Sequence, residues 1–311
     1  MAPSVSSVAF FGPTGTFTEE ALLTQADLAS AALIPKGSIA EVLDAVSSGE
    51  TEVGFVPIEN GIEGPVNETI DGLIFSDDLL IVREVVLDIH LQLMARPGTR
   101  IQDVNRVHSF PHALAQCRGF LSRERPDAMP IAATSTADAA RWVGEEGGPH
   151  DAAIAPRLSA TLYGLEIIAD DIEDHLENQT RFVAVARGPI PVATGHDHTS
   201  IVCFQDADRP GSLYGMLGQF AARDINLTSV HSRPSKRGLG EYCFVIDFEG
   251  HLGEDVVSDC LRDLRVHVAN VKFLGSYPAL GEPDSATRKS VTEARLSAND
   301  WIGHLRSQLE Q

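Results

Sequence analysis

Two segments of the chain, about a hundred residues apart, run through the same events in the same order. Residues 38–60 read SIAEVLDAVSSGETEVGFVPIEN, and residues 135–159 read STADAARWVGEEGGPHDAAIAPRLS. Each opens on a serine suited to cap a helix and continues with apolar residues at helical spacing. Each then passes an acidic turn and enters a short apolar run that ends in proline and polar residues. In the first, Ile39, Val42, Leu43 and Val46 share a helical face, and Ser38 with Glu41 has capping-box spacing. In the second, Ala137, Ala140 and Val143 do the same. A chain that repeats this helix–strand unit is directed toward two α/β lobes of similar build.

In sheets of that kind ligands sit beyond the carboxyl ends of the strands, so two facing lobes close a cleft there. The pattern puts the first lobe at about 1–83 plus 175–190 and the second at about 84–174, in a unit of 1–190. The chain crosses between lobes near 83–93 and returns near 174–181, where ENQTRF leads into an apolar strand. Residues 188–198 are rich in proline and glycine and read as a linker. Beyond it the pattern becomes strand 199–204, helix 211–222, strands 226–232 and 242–248, helix 254–264 and strand 268–274. That is βαββαβ, a ferredoxin-like domain over 199–277. Residues 278–290 are a polar linker. Val291, Ala294, Ala298, Ile302, Leu305 and Leu309 then recur at helical spacing, so a tail helix in 278–311 needs a surface on its own chain or a partner subunit.

Charge narrows the partners. The 311 residues carry 24 Lys and Arg against 44 Asp and Glu, a net charge of −20. Such a field repels phosphate backbones and acidic lipid, which argues against nucleic acid and membrane surfaces but not against a small anion held by local groups. Cys117, Cys203, Cys243 and Cys260 are scattered, with no disulfide or zinc spacing. The first residues lack the basic and apolar parts of a signal peptide, and no run approaches the roughly 18 apolar residues of a membrane span. The expectation is a cytoplasmic protein.

Candidate site residues fall at the ends of the expected strands. Gly12-Pro13-Thr14-Gly15 lacks the third glycine and the acidic partner of a dinucleotide loop. It is either a plain capped turn or a helix start where Thr14, Thr16 and Thr18 meet a carboxylate. Glu59 and Asn60 end a buried strand and point either into the cleft or into solvent as a turn. His112 follows Pro111 at a helix start, where the positive dipole end favours a neutral imidazole. Ser135 and Thr136 start another helix, as a cap, an anion contact or both. His196 and His198 sit in the linker with no third ligand nearby, so no metal is expected.

Taken together and in order, GPTGTFTEEA, VPIENGIEG, HSFPHALAQC, TSTADAA, AAIAP and ENQTRF resemble the prephenate dehydratase family. DRPGSLYGMLGQFAARDINLTSVHSRP resembles an ACT regulatory domain. The resemblance covers about residues 6–277. It implies a two-lobed, periplasmic-binding-protein-like catalytic domain that converts prephenate to phenylpyruvate, carbon dioxide and water without cofactor or metal. It implies homodimers or homotetramers inhibited by phenylalanine between neighbouring ACT domains. Among the matching residues it implies that Thr180 donates to the leaving hydroxyl. Asn60 orients substrate or Thr180, and Glu59 and His112 are the other proton carriers. Thr16, Ser135 and Thr136 meet carboxylates, and Arg181 either binds a carboxylate or braces Glu59. Gly211, Ser212, Leu213, Asn226, Leu227 and Ser232 surround the effector.

Two positions depart from the family pattern. Gly61 stands where serine usually follows the Glu-Asn pair, and His231 stands where the effector motif usually has glutamate. Two rival readings follow: a dehydratase acting on arogenate, the amino analogue, and a non-catalytic amino-acid sensor of the same build.

Overall fold

The computed structural model describes residues 5–75, 79–205, 209–236, 238, 241–281, 301–302, 304 and 306–308. They form two compact units, Met1–Pro191 and Val192–Gln311. Most of the expected tail helix lies outside the described residues.

The first unit starts with β1 (Ser7–Phe11), α1 (Phe17–Leu23), α2 (Ala26–Ala29), β2 (Ala32–Lys36), α3 (Ile39–Ser47), β3 (Val53–Asn60), β4 (Gly64–Pro65), α4 (Asn67–Phe75) and β5 (Leu80–Asp88). α1 ends at Thr24, whose hydroxyl donates to the Ala21 carbonyl at 2.6 Å and so competes with the helix ladder before α2 begins. The second lobe follows with β6 (Gln92–Ala95), β7 (Arg106–Ser109), α5 (Pro111–Gln116), α6 (Arg118–Glu124), β8 (Met129–Ala132), α7 (Thr136–Glu145), β9 (Asp151–Ala155), α8 (Arg157–Tyr163) and β10 (Glu166–Ala169). β11 (Gln179–Ala186) returns to the first sheet.

The sheet orders repeat as the sequence does. The first is β2-β1-β3-β11-β5 and the second β10-β6-β9-β7-β8. In each, three parallel strands adjoin an antiparallel strand that belongs to a crossing of the chain. Ser38 and Ser135 cap α3 and α7 through the same contact, accepting from the N–H three residues on. The crossing comes later than residue 83, because β5 pairs with β11 as far as Asp88. Only residues 89–91 pass to the second lobe. The return segment runs beside them: Ile172 donates to Leu91 O at 2.9 Å and Ile89 to Asn178 O at 2.8 Å.

Packing holds each lobe to its helices. Phe55 and Phe182 stack across β3 and β11 with ring centroids 5.7 Å apart, in a core with Val8, Phe10 and Leu22. On the opposite face α3 approaches so closely that a Cβ on Gly54 would lie 2.9 Å from Val46 and 3.0 Å from Val42. Phe17 packs against the cores of both lobes. In the second lobe the buried Asp151 carboxylate accepts from Arg106 at 2.6 and 2.7 Å, from His108 at 2.9 Å and from Gly148 N–H at 2.7 Å. Burial pushes that carboxyl up, but these donors outweigh it and hold the pKa at about 2.

The second unit is β12 (Asp197–Phe204), α9 (Ser212–Ala221), β13 (Leu227–Pro234), β14 (Tyr242–Glu249), α10 (Asp255–His267) and β15 (Asn270–Pro278). Its antiparallel sheet has the order β13-β14-β12-β15. Met216, Phe220, Val257 and Leu264 from the helices meet Ile201, Ile246 and Phe248 from one face of the sheet. Among the described residues no helix is long and apolar enough to cross a membrane.

Candidate active site

β3 does not stop at Pro57. Pro57 has no N–H to give the ladder, and the register shifts there: Arg181 faces Glu59 and Phe182 faces Pro57, which leaves Ile58 as an extra residue. The bulge lets the strand continue, so Glu59 and Asn60 are strand residues, with Asn60 opposite Thr180. Both lie at the carboxyl edge of the parallel strands, where the lobes meet.

The Asn60 amide is the organiser there. Its Nδ2 donates to Thr180 Oγ1 at 2.8 Å and to Asn178 Oδ1 at 3.0 Å. Its Oδ1 accepts from the N–H groups of Ile62 and Glu63 at 3.0 and 2.9 Å, which closes the turn after β3. Asn178 is buried, and its own Nδ2 donates to Gln116 Oε1 of the second lobe at 3.2 Å. Because Thr180 Oγ1 accepts from Asn60, its O–H is left to donate elsewhere. His112, one turn before Gln116 on α5, is exposed and lies 3.3 Å from Glu63. Thr180, Asn60 and His112 are thus connected through Asn178, Gln116 and Glu63.

Arg181 is elsewhere. Successive strand residues point to opposite faces, so its guanidinium lies on the far side of the sheet from the Thr180 hydroxyl. Its Nε donates to the buried Glu84 carboxylate at 2.9 Å, and its Nη1 is 3.9 Å from Glu59. Of the two expected roles, carboxylate anchor and Glu59 brace, the geometry corresponds to a brace, and the near partner is Glu84. Glu59 falls on that same face, away from Thr180.

Thr16 caps α1, accepting from Glu19 N–H at 3.4 Å, while Glu19 reaches back to Gly15 N–H at 2.5 Å. Ser135 caps α7, accepting from Asp138 N–H at 2.9 Å, and Thr136 is the first helical residue. These three stand just beyond the carboxyl ends of β1 and β8, on the same edge as Asn60 within their sheets. No direct hydrogen bond joins them to Thr180 among the described residues.

In the second unit a cavity of about 260 Å³ opens at the start of α9. Gly211, at φ +88°, and Ser212 line it, with Arg209, Met216, Gln219 and His267. Leu213, Asn226, Leu227 and Ser232 do not. Asn226 donates to Glu249 at 3.0 Å, Leu227 packs on the core, and Ser232 is exposed on the edge strand β13.

Three participants escaped the sequence reading: Asn178, Gln116 and Glu84. Asn178 and Gln116 sit inside the conspicuous motifs, and Gln116 follows His112 by four residues, the spacing of one helical face. Glu84 carries no local signal. As to metals, His90, Asp171 and Glu173 have ligand atoms within 4.8 Å of one another. Glu173 already accepts from His90 and Leu91 N–H, and Asp171 from Gln92, so these groups satisfy one another.

Comparison with known proteins shows the family. A family model described as prephenate dehydratase matches residues 8–189, and one described as ACT domain matches residues 199–266. The prephenate dehydratase of Corynebacterium glutamicum is 38% identical over 307 residues, covering 97% of this chain and 96% of that one. A crystal structure of prephenate dehydratase from Arthrobacter aurescens in complex with L-Phe is similar with a TM-score of 0.85 and 37% identity, covering 97% and 99%. A structure described as a novel type of quorum-quenching acylase is also similar, with a TM-score of 0.81 and 30% identity, covering 88% and 98%.

Proposed function

The chain belongs to the prephenate dehydratase family, with an ACT domain behind the catalytic unit, and from that premise we propose how its residues divide the reaction. The enzyme converts prephenate to phenylpyruvate. The substrate carries two carboxylates and a ring hydroxyl, and loss of carbon dioxide and hydroxide makes the ring aromatic. The driving force is in the substrate, and the protein's task is to hold the dianion, exclude water and assist the leaving oxygen.

The observation that carries the assignment is the Asn60 to Thr180 hydrogen bond at 2.8 Å. It fixes the hydroxyl oxygen as an acceptor, so the Thr180 O–H is aimed as a donor. A donor directed at an oxygen that gains negative charge lowers the barrier. A free threonine is a poor acid, so this is oriented donation, and His112, on the helix tied to Asn178 through Gln116, is the group assigned to supply the proton that the leaving oxygen takes up. Thr16, Ser135 and Thr136 supply hydroxyls for the carboxylates. Arg181 and Glu59 support the strand edge rather than touch substrate. An acyl-transfer reading needs a base on the nucleophilic hydroxyl. The group against Thr180 is an amide donor, which favours the dehydratase.

Phenylalanine is the proposed effector, with Gly211 and Ser212 at its charged end and a neighbouring ACT domain completing the pocket in a homodimer or homotetramer. The L-Phe complex of the Arthrobacter aurescens relative supports this. A cytoplasmic location fits the same reading. Following phenylpyruvate by its absorbance, from prephenate and from arogenate, with and without L-phenylalanine, tests all of it. No product from prephenate would reject the activity, and a flat response to phenylalanine would reject the regulation.

A further inference from the structure

Two of the contacts between the lobes are made equivalent by the internal repeat. In each, the loop after a lobe's first parallel strand meets the segment that follows the other lobe's third parallel strand. At one, His112 after β7 faces Glu63 after β3, and both side chains are about half exposed. An exposed pair of that kind is screened and contributes little. At the other, the turn after β1 meets α8 after β9. Ser159 Oγ donates to Gly15 O at 2.7 Å, and Tyr163 OH donates to Thr14 O at 2.7 Å. Ser159 is fully buried. Gly15 has φ +86°, and a Cβ there would lie 2.8 Å from Ser159 Oγ and 3.2 Å from the Tyr163 ring. The approach is therefore one that only glycine permits.

We propose that Ser159 and Tyr163 are positioning residues for the dehydratase reaction: they form the latch that holds the lobes in the arrangement in which the cleft binds prephenate. The proposal rests on the reading that prephenate binds between the lobes. Both residues act through backbone carbonyls of the first lobe, and neither belongs to the Thr180 network. The Ser159 bond is short and buried, and the Tyr163 bond, though at the surface, is equally short, in contrast to the screened His112–Glu63 pair, so the latch side carries the closure. Loss of a latch bond populates open forms and reduces apparent affinity by the fraction that remains closed, while the chemistry in the closed complex is unchanged.

Ser159→Ala and Tyr163→Phe each remove one hydroxyl. A single such bond corresponds to about a fivefold change in population. Each variant is therefore expected to raise KM for prephenate by up to about fivefold, and the double variant further, with kcat within about twofold. Tyr163→Phe keeps the ring in place, so it retains the fold even where the buried serine does not tolerate change. Hydrogen exchange of the peptide 12–20 gives a readout apart from catalysis, with phenylpyruvate as the ligand probe. In the wild type the probe slows exchange of that peptide, and in the latch variants the free enzyme exchanges faster there. Failure of phenylpyruvate to slow wild-type exchange would remove the cleft reading and the proposal with it. Slowing in the wild type, with variants that exchange like it or keep its KM, would overturn the latch alone. A fall in kcat at constant KM would overturn it as well.

Discussion

Replacing Thr180 by valine keeps the side chain's shape and removes the hydroxyl. Two costs can be separated in advance. The fold loses one acceptor for Asn60 Nδ2, but that amide keeps Asn178 Oδ1 at 3.0 Å, so no buried donor is stranded. The stability cost is then that of an ordinary hydrogen bond, about 1 kcal/mol. The reaction loses a donor aimed at developing negative charge, worth about 3 kcal/mol, or a 10²- to 10³-fold fall in kcat. Thr180→Ser restores the hydroxyl at the cost of a methyl group, about 0.8 kcal/mol of burial, and should recover most of kcat. Phenylpyruvate formation gives the rates, and urea unfolding gives the stabilities. Turnover of the valine variant within fivefold of wild type would refute the donor role. A stability loss above about 3 kcal/mol would refute the claim that Asn60 remains satisfied.

Other consequences follow from the same geometry. Arg181→Ala leaves Glu84 buried without its guanidinium, and a broken buried pair costs on the order of 3 kcal/mol, read as a lowered urea midpoint. The hydrogen bond to Glu173 raises the His90 pKa above 6.5, with Asp171 and Asp88 adding to it against a smaller effect of burial. The contribution of this contact is complete below about pH 6.5 and is lost as pH rises through the raised value, so His90→Gln should flatten the decline of stability on the alkaline side. Asp151 titrates at about 2 in the fold against 3.8 unpaired, so it contributes about 2 kcal/mol that disappears as pH falls from about 4 toward 2. Asp151→Asn should remove that acid-side slope in a pH series of melting temperatures. With a net charge of −20 the enzyme repels its dianionic substrate, so KM should fall between low and physiological ionic strength while kcat stays level.

The features legible in the sequence were those with a local period or a local cap. The two copies of serine, helix and buried strand appear in the fold as α3–β3 and α7–β9, with the same N-cap bonds. Glu59 and Asn60 close the strand as the sequence suggests, but a proline ordinarily ends pairing, and only the partner strand reveals the bulge that accommodates Pro57. Asn60 and Thr180 each stood out within a motif, but the bond between them joins residues 120 positions apart. Glu84 was invisible because its role depends on which strand lies next to β11, and that is a matter of sheet order rather than composition. The tie from Gln116 to Asn178 crosses lobes, so it exists only once both are built.

The order of strands also sets a timetable. The second lobe is made from one continuous stretch of chain, whereas the first lacks the strand between β3 and β5 until residues 179–186 arrive. As the chain leaves the ribosome, the second lobe can therefore finish while the first still holds β3 and β5 apart, with the apolar edge of each unpaired. The strand that fills this gap is the one that carries Thr180. Thr180 arrives in the same step that completes the sheet, so on the proposed division of roles a half-built first lobe has no leaving-group donor.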